Sequence, residues 1–518
     1  MTKLKKTAKS ALIIIIFSLG SKFLGFIREV LIASKFGSGM ETDTFFVALT
    51  ATGIVTGFLS NAISTTFIPI LSEIDSKEGK KGKIKHTNNI INIIFVISAI
   101  LVIIGWLSTP IIVKLLAKGF QGKQFNLAVK LTRIGLPMIL FSGVIGVLTG
   151  YLQSEQRFTS SAVIGFPFNF IYIFFLLFLS NKFGITGLMV AAVLAVASQF
   201  LIQIPEARVS EYRYKFKFDL KDKYVKKVIL LSLPVLVGVA INDLNAIVDK
   251  TLASSLISGS ISALNYANKL NGLILGVFIS AITTVIFPLL SKESNSDNIP
   301  GMKKIMGHGI NLILLITVPA TVGLIVLATP IVEIAFQRGA FDSTATIMTS
   351  QALIFYSIGL VAMALRLLLN RVYYSLQDTK TPMINGAISV IFNVILNLIL
   401  VKFMAHSGLA LATSIATTIA TLMLLYGLKK KIGSLGTKGY IVIFIKTGLA
   451  SVIMGIAVYL IYHGLYGILG VSKLYNLISL LISVGVGVVL YGILCYLFGI
   501  EEIRYIVDKV KARLIAKA

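Results

Sequence analysis

The sequence predicts an all-α polytopic membrane protein: fourteen transmembrane helices, arranged as two parallel six-helix repeats plus two C-terminal helices. Three observations predict it. Of the 518 residues, 56% are hydrophobic and only 13% charged, with a mean hydropathy of +0.90, whereas a soluble domain carries about 25% charged residues. Apolar segments recur at lengths that cover the roughly 20 residues a helix needs to cross about 30 Å of hydrocarbon. Part of the chain also repeats: Gly57 to Ser72 reads GFLSNAISTTFIPILS and Gly276 to Ser291 reads GVFISAITTVIFPLLS.

The first apolar run, 10–36, follows a lysine-rich start that superficially resembles a secretory signal. It continues through Lys22 and Arg28 to Phe36 without a small-residue cleavage pattern, so it reads as a retained first helix. The following segments fall at 43–72, 88–113, 127–152, 160–180 and 184–205, which completes a six-helix lobe over 1–206. A basic linker, 207–227, follows. The second lobe, 228–430, holds segments at 228–254, 262–290, 306–334, 346–374, 382–402 and 408–428, and residues 440–518 hold 440–462, 474–499 and a basic tail. These runs are too long and continuous for the short alternating strands of an outer-membrane barrel. A second recurrence, Lys182-Phe183 with Gly187-Leu188 against Lys402-Phe403 with Gly408-Leu409, has nearly the same offset as the first. Because six is even, both lobes enter from the same side, as in parallel-repeat transporters.

The balance of 48 Lys and Arg against 21 Asp and Glu would suggest nucleic acid on a soluble protein, but here it reads as topology. With the N-terminus cytoplasmic, that side holds thirty-one basic residues and the opposite side nine. Both termini are therefore expected in the cytoplasm, and the basic loops are expected to act as topological anchors on anionic lipid. The single cysteine, Cys495, excludes an intrachain disulfide. No GxxxxGK[ST] phosphate loop, DxD or DDxxD occurs, so neither ATP hydrolysis nor metal-dependent glycosyl transfer is expected of this chain.

Eight basic residues fall inside the apolar segments: Lys22, Arg28, Arg133, Lys250, Lys269, Arg366, Arg371 and Lys446. A cation near the bilayer centre costs roughly 2.5 to 3.5 kcal/mol, so it usually faces a bundle interior or a wet cavity. Arg133, Arg371 and Lys446 lie near segment ends and can snorkel. Lys22 lies roughly 18 Å into the first segment at 1.5 Å per residue. Lys22, Arg28 and Glu29 with Asp43 in the first lobe, and Asp243, Asp249, Lys250 and Lys269 in the second, are the candidate charges of a cavity that takes an anionic head group. The bland alternative is that Arg28-Glu29 and Asp249-Lys250 are internal ion pairs.

Four stretches carry a resemblance: SKFLGFIREVLIASKFGSGMETDTFFVA (21–48), ALNYANKLNGLILGVFISAITTVIFPLLSK (263–292), FQRGAFDSTAT (336–346) and YSLQDTKTPMINGAISVIFNVILNLILV (374–401). They resemble the MurJ/MviN lipid II flippases of the multidrug/oligosaccharidyl-lipid/polysaccharide exporter superfamily, over essentially the whole chain. The resemblance implies a bacterial plasma-membrane transporter, not an enzyme. It would carry the undecaprenyl-pyrophosphate-linked peptidoglycan precursor from the inner to the outer leaflet by alternating access, for cell-wall synthesis. It implies substrate contacts at Lys22, Arg28, Glu29, Asp43, Asn268 and Lys269, and a sodium site at Asp249, Asn393, Asn397 and Thr413. No bound cofactor is implied beyond coupling to sodium or to the membrane potential. Implied partners are lipid II or a related polyprenyl-pyrophosphate glycolipid, membrane lipids and wall-synthesis enzymes, with no nucleic acid. Departures are Lys22 and Lys269 where the family often has Arg, Asn268 where it has Asp, and Thr56 where it has a central Arg. Thr56 with Asn268 favours, as alternative, an exporter of another polyprenyl-linked oligosaccharide; a membrane glycosyltransferase or a scaffold is the remaining class.

Overall fold

The computed structural model describes residues 3–469, 472–505 and 508–509; Lys511, Arg513 and Lys517 of the basic tail lie outside them. Helix accounts for nearly all of the described residues, and no strand occurs among them. Among the described residues, eight helices are long and apolar enough to cross a membrane. A ninth span is formed if Ser343–Ile358 and Leu360–Ser375, bent by 48° at their junction, count as one. Length and hydropathy alone thus do not reach the expected fourteen, because several continuous helices hide a reversal. The Met40–Leu116 helix has 77 residues, which as a straight rod would extend about 115 Å. It breaks at Gly79 (φ 65°, ψ −173°), a conformation that only glycine adopts without strain. Lys380–Ile432 breaks in the same manner at Ala405, and Ser180–Leu201 at Gly184.

Contacts divide the chain into two compact bodies, residues 1–262 with 338–341, and 263–337 with 342–518. This division falls after Ser262, beyond the 207–227 linker, since the Lys223–Ala253 helix packs on Met40–Leu116. In the first body the two arms of Met40–Leu116 fold back on each other around Gly79. Phe67, Ile70, Leu71 and Ile74 of one arm meet Ile90, Ile91 and Ile94 of the other, with Leu148 and Tyr151 of Met138–Ser154 completing the core. In the second body Ile299–Val326 is central. One face packs on Leu368, Leu369 and Val372, and another meets Ala450, Met454 and Tyr491 of the last two helices, Thr437–Leu469 and Lys473–Leu497. The Tyr491 hydroxyl donates to the Leu315 carbonyl at 3.0 Å, which fixes that pair against the body.

The backbone carries the repeat more clearly than the side chains do. Left-handed residues pair along the chain at a nearly constant interval: Gly37 with Gly259, Gly79 with Asp297, Gly122 with Gly339, Gln156 with Gln377, Gly184 with Ala405, and Glu211 with Gly433. Among the described residues only Gly436 and Gly499 have no counterpart, and they flank the final two helices. A residue with positive φ marks a turn whose geometry the fold dictates. Six shared turns therefore describe one six-helix path traced twice, with the last pair outside it.

Candidate functional site

In the first body, the Lys3–Phe36 helix brings Arg28 and Glu29 against the Gly165–Phe174 helix. The Arg28 guanidinium donates to Glu29 Oε1 at 2.7 Å and to Asn169 Oδ1 at 3.1 Å. It also stands 5.3 Å and 5.1 Å from the Phe168 and Tyr172 ring centroids. Asn169 is itself oriented, its amide donating to the Ser21 and Gly165 carbonyls. Two bonds engage two of the five guanidinium donors, and the group borders a cavity of about 170 Å³ that Phe46, Leu49, Thr52 and Met138 also line. Both readings of Arg28 thus have a physical basis here. It is an internal ion pair, and it keeps donors for an anion. Lys22, earlier on the same helix, is partly buried.

Asp43 is 3% exposed, and its carboxylate is taken up by the turn that starts the Ser260–Ile274 helix. It accepts from the Gly259 and Ser262 backbone N–H groups, both at 2.7 Å, and from the Ser262 hydroxyl. Both oxygens serve a helix N-terminus, where a negative charge is favoured. The neighbouring contacts are as close. A Cβ on Gly37 would lie 2.3 Å from the Ala340 carbonyl oxygen, and one on Gly339 would lie 2.2 Å from that of Ser34, to which the Ala340 N–H donates at 2.8 Å. The glycine of the QRGAF stretch is therefore a packing requirement at the end of the first helix. Asp243, Asp249 and Lys250 are partly buried on Lys223–Ala253, with the Lys250 ammonium 5.5 Å from the Phe46 ring.

In the second body, Asn268 and Lys269 are exposed on Ser260–Ile274. Asn393, Asn397 and Thr413 come together across the Ala405 break: Asn397 donates to Asn393 Oδ1 at 2.7 Å, and Asn393 donates to the Thr413 hydroxyl at 3.2 Å. These are oxygen donors of a kind that suits a hard cation, but all three are neutral. No cluster of three or more His, Cys, Asp or Glu that could hold a metal occurs among the described residues. Arg366 is partly buried on Leu360–Ser375 with no hydrogen bond or ion pair to its side chain among the described residues. Its place inside an apolar segment was visible in the sequence, but its lack of a partner was not.

The turns outside the apolar segments are tied by charge. The Asp378 carboxylate caps Lys380–Ile432 by accepting from the Thr381 N–H and hydroxyl, at 2.9 and 2.8 Å, and pairs with Lys431 at 2.7 Å. Burial alone would raise this carboxyl, but Lys431 and Thr381 outweigh it and bring it down to about 2. In the first body His86 bridges Asp222 (2.5 Å) and Glu78 (2.8 Å). Burial pushes Asp222 up, yet the Tyr224 N–H and the His86 ring bring it below the ordinary carboxylate value.

Comparison with known proteins gives one consistent result. A sequence model of the family described as "Lipid II flippase MurJ" matches residues 32–480. The "Probable lipid II flippase MurJ" of Vibrio cholerae is 32% identical over 444 residues, 83% of this chain and 84% of that protein. The "Lipid II flippase MurJ" of Burkholderia cenocepacia is 28% identical over 85% and 87% of the two chains. A solved structure titled "Lipid II flippase MurJ, inward closed conformation" superposes with a TM-score of 0.79 at 28% identity, covering 94% of this chain and 99% of that one. An inward-facing MATE transporter of the MOP superfamily, 14% identical with a TM-score of 0.67, shares the fold over 82% of this chain. With a family match of this extent and a fold to agree with it, the chain belongs to the MurJ lipid II flippase family.

Proposed function

We propose that this protein is a lipid II flippase that carries the undecaprenyl-pyrophosphate-linked precursor from the inner to the outer leaflet of the bacterial plasma membrane by alternating access. The observation that carries this reading is the likeness along 94% of the chain to a lipid II flippase of known structure. The chain acts as a carrier, not as an enzyme, and works with fourteen spans and both termini in the cytoplasm. The helix breaks at Gly79, Gly184 and Ala405 support that span count, and the distribution of basic residues supports the orientation.

Lys22, Arg28 and Lys269 supply positive charge to the pyrophosphate during its passage. Each charge-assisted bond to a phosphate oxygen is short and about twice as strong as a neutral one. The Asn169 bond and the two aromatic rings hold the Arg28 guanidinium in place before any ligand arrives, which lowers the cost of ordering it. Coupling is to a sodium gradient or to the membrane potential; if sodium, Asn393, Asn397, Thr413 and Asp249 are the residues that would hold it. Thr56 and Asn268 favour a second reading, export of a different polyprenyl-linked oligosaccharide. The Thr56 hydroxyl bonds back to the Gly53 carbonyl at 2.9 Å and brings no charge. Complementation of cells depleted of their own lipid II flippase tests the first reading; failure there, with restored export of another lipid-linked sugar, would select the second.

A further inference from the structure

The 207–227 linker contains a stretch without helix or strand in which aromatic and basic residues alternate: Tyr212, Arg213, Tyr214, Lys215, Phe216, Lys217 and Phe218. Three asparagines of the Met40–Leu116 helix hold it. Asn88 donates to the Arg213 carbonyl at 3.1 Å, Asn92 to that of Lys217 at 2.9 Å, and Asn89 exchanges bonds with the Asp219 backbone at 2.9 and 2.7 Å. The Tyr212 and Tyr214 hydroxyls donate back to Asn88 and Asn92. A segment with no helix or strand has no hydrogen-bond ladder of its own, so these amides fix it in place. Phe216 remains 78% exposed and Tyr214 57%.

Beside this strap lies a cavity of about 890 Å³, near the upper end of the roughly 300 to 1,000 Å³ of ligand pockets. Its apolar walls include Phe95, Phe141, Val144, Phe200 and Ile204 from helices that cross the membrane. Its polar lining comes from the strap and what touches it: Asn92, Arg208, Arg213 and Tyr214. Among the described residues neither Arg208 nor Arg213 has a side-chain hydrogen bond or ion pair, and both are exposed. Nearby acids are engaged elsewhere, Glu211 with Lys80 and Glu206 with the Ser160 N–H.

We propose that this groove is a binding site for an anionic phospholipid, distinct from the path of the transported lipid. The phosphodiester accepts from Arg208 and Arg213, whose planar forks match phosphate oxygens. An acyl chain lies against Phe95, Phe141 and Ile204. Charge complementarity selects the occupant: a cationic rim on an apolar channel suits an anion with a hydrocarbon tail, and exposed aromatic rings of the strap belong at head-group depth. A bound lipid would tie the linker to the membrane and stabilise the body that the asparagines assemble.

The test uses the full chain, purified and delipidated in detergent, titrated with phosphatidylglycerol and read by native mass spectrometry and thermal melting. The wild type is expected to retain one phosphatidylglycerol and to melt higher with it than with phosphatidylcholine. R208A/R213A should bind at least about tenfold more weakly. R208K/R213K should bind at an intermediate level, and Ile204→Trp, which fills the groove, should lose the retained lipid with both arginines present. K81A/K85A removes the same charge from exposed positions outside the groove and should bind as the wild type does. Equal weakening by K81A/K85A would reduce the effect to diffuse attraction and overturn the site. Unchanged retention by R208A/R213A, displacement by inorganic phosphate alone, or displacement by equimolar undecaprenyl pyrophosphate would overturn it as well.

Discussion

Replacing Gly339 by alanine should destabilise the protein more than the same change at Gly122, its counterpart in the repeat, although the two residues have similar φ values of +60° and +52°. In each case a Cβ in the left-handed region costs roughly 1 to 2 kcal/mol. The surroundings differ. Nothing lies within 4 Å of the Cβ at Gly122, whereas at Gly339 it would stand 2.2 Å from the Ser34 carbonyl oxygen. That oxygen belongs to backbone, so relief requires the 338–341 turn to retreat by about an ångström. The retreat breaks the 2.8 Å bond from the Ala340 N–H to the same oxygen, whose net worth is about 0.5 to 1.5 kcal/mol. G339A should therefore lose about 1 kcal/mol more than G122A, plus whatever packing the turn gives up. The assay is thermal inactivation of the two purified variants in one detergent at one heating rate, since unfolding of such a protein is best compared as a rate. Equal inactivation of G122A and G339A would refute the close-packing argument and leave backbone strain as the whole effect.

Other outcomes follow from the same geometry. The Asp378 carboxyl is depressed to about 2 in the folded state, against about 3.9 in an unfolded chain. Its contribution is thus present above the unfolded value and lost as pH falls from about 4 through about 2; Asp378→Asn should flatten the melting temperature across that window, and an unchanged slope would remove Asp378 as its source. Single cysteines introduced at 212–222 should label from the cytoplasmic face only, as the distribution of basic residues requires, with the buried Cys495 adding little background; labelling from outside intact cells would reverse the orientation. The last two helices lie outside the repeat; if they form a lateral groove for the prenyl tail of the carried lipid, a stably inserted chain lacking 440–518 should fail to transport, and normal transport would refute that role.

The helices and the repeat were legible in the sequence because bilayer thickness and hydrophobic burial act on local composition. The residues from Gly57 to Ser72 and from Gly276 to Ser291 displayed the repeat through seven shared identities. The turns displayed it less, because Gln156, Gln377, Glu211, Asp297 and Ala405 adopt positive φ with no glycine to announce it. Long-range satisfaction of polar groups was not legible. Asp43 looked like a cavity charge, yet its partners lie more than two hundred residues away, at Gly259 and Ser262. Asn88, Asn89 and Asn92 fall inside the apolar segment 88–113 with nothing in the sequence to set them apart, and only the fold shows that they hold the linker. Arg28 and Glu29 could be named from their place in a span, but the partners Asn169, Phe168 and Tyr172 come from a helix the spacing could not identify.

The central claim is tested most directly by measuring lipid II in the outer leaflet of cells depleted of their own flippase and expressing this chain, as wild type, Lys22→Arg, Arg28→Ala or Lys269→Ala at matched membrane abundance. A lost charge-assisted bond costs about 1.5 to 3 kcal/mol, roughly ten- to a hundredfold in an equilibrium. The wild type and Lys22→Arg should restore outer-leaflet lipid II and growth, and Arg28→Ala and Lys269→Ala should fall at least about tenfold. Failure of the wild type to deliver lipid II would contradict the assigned activity, and normal delivery by both alanine variants would leave Arg28 and Lys269 as structural charges only.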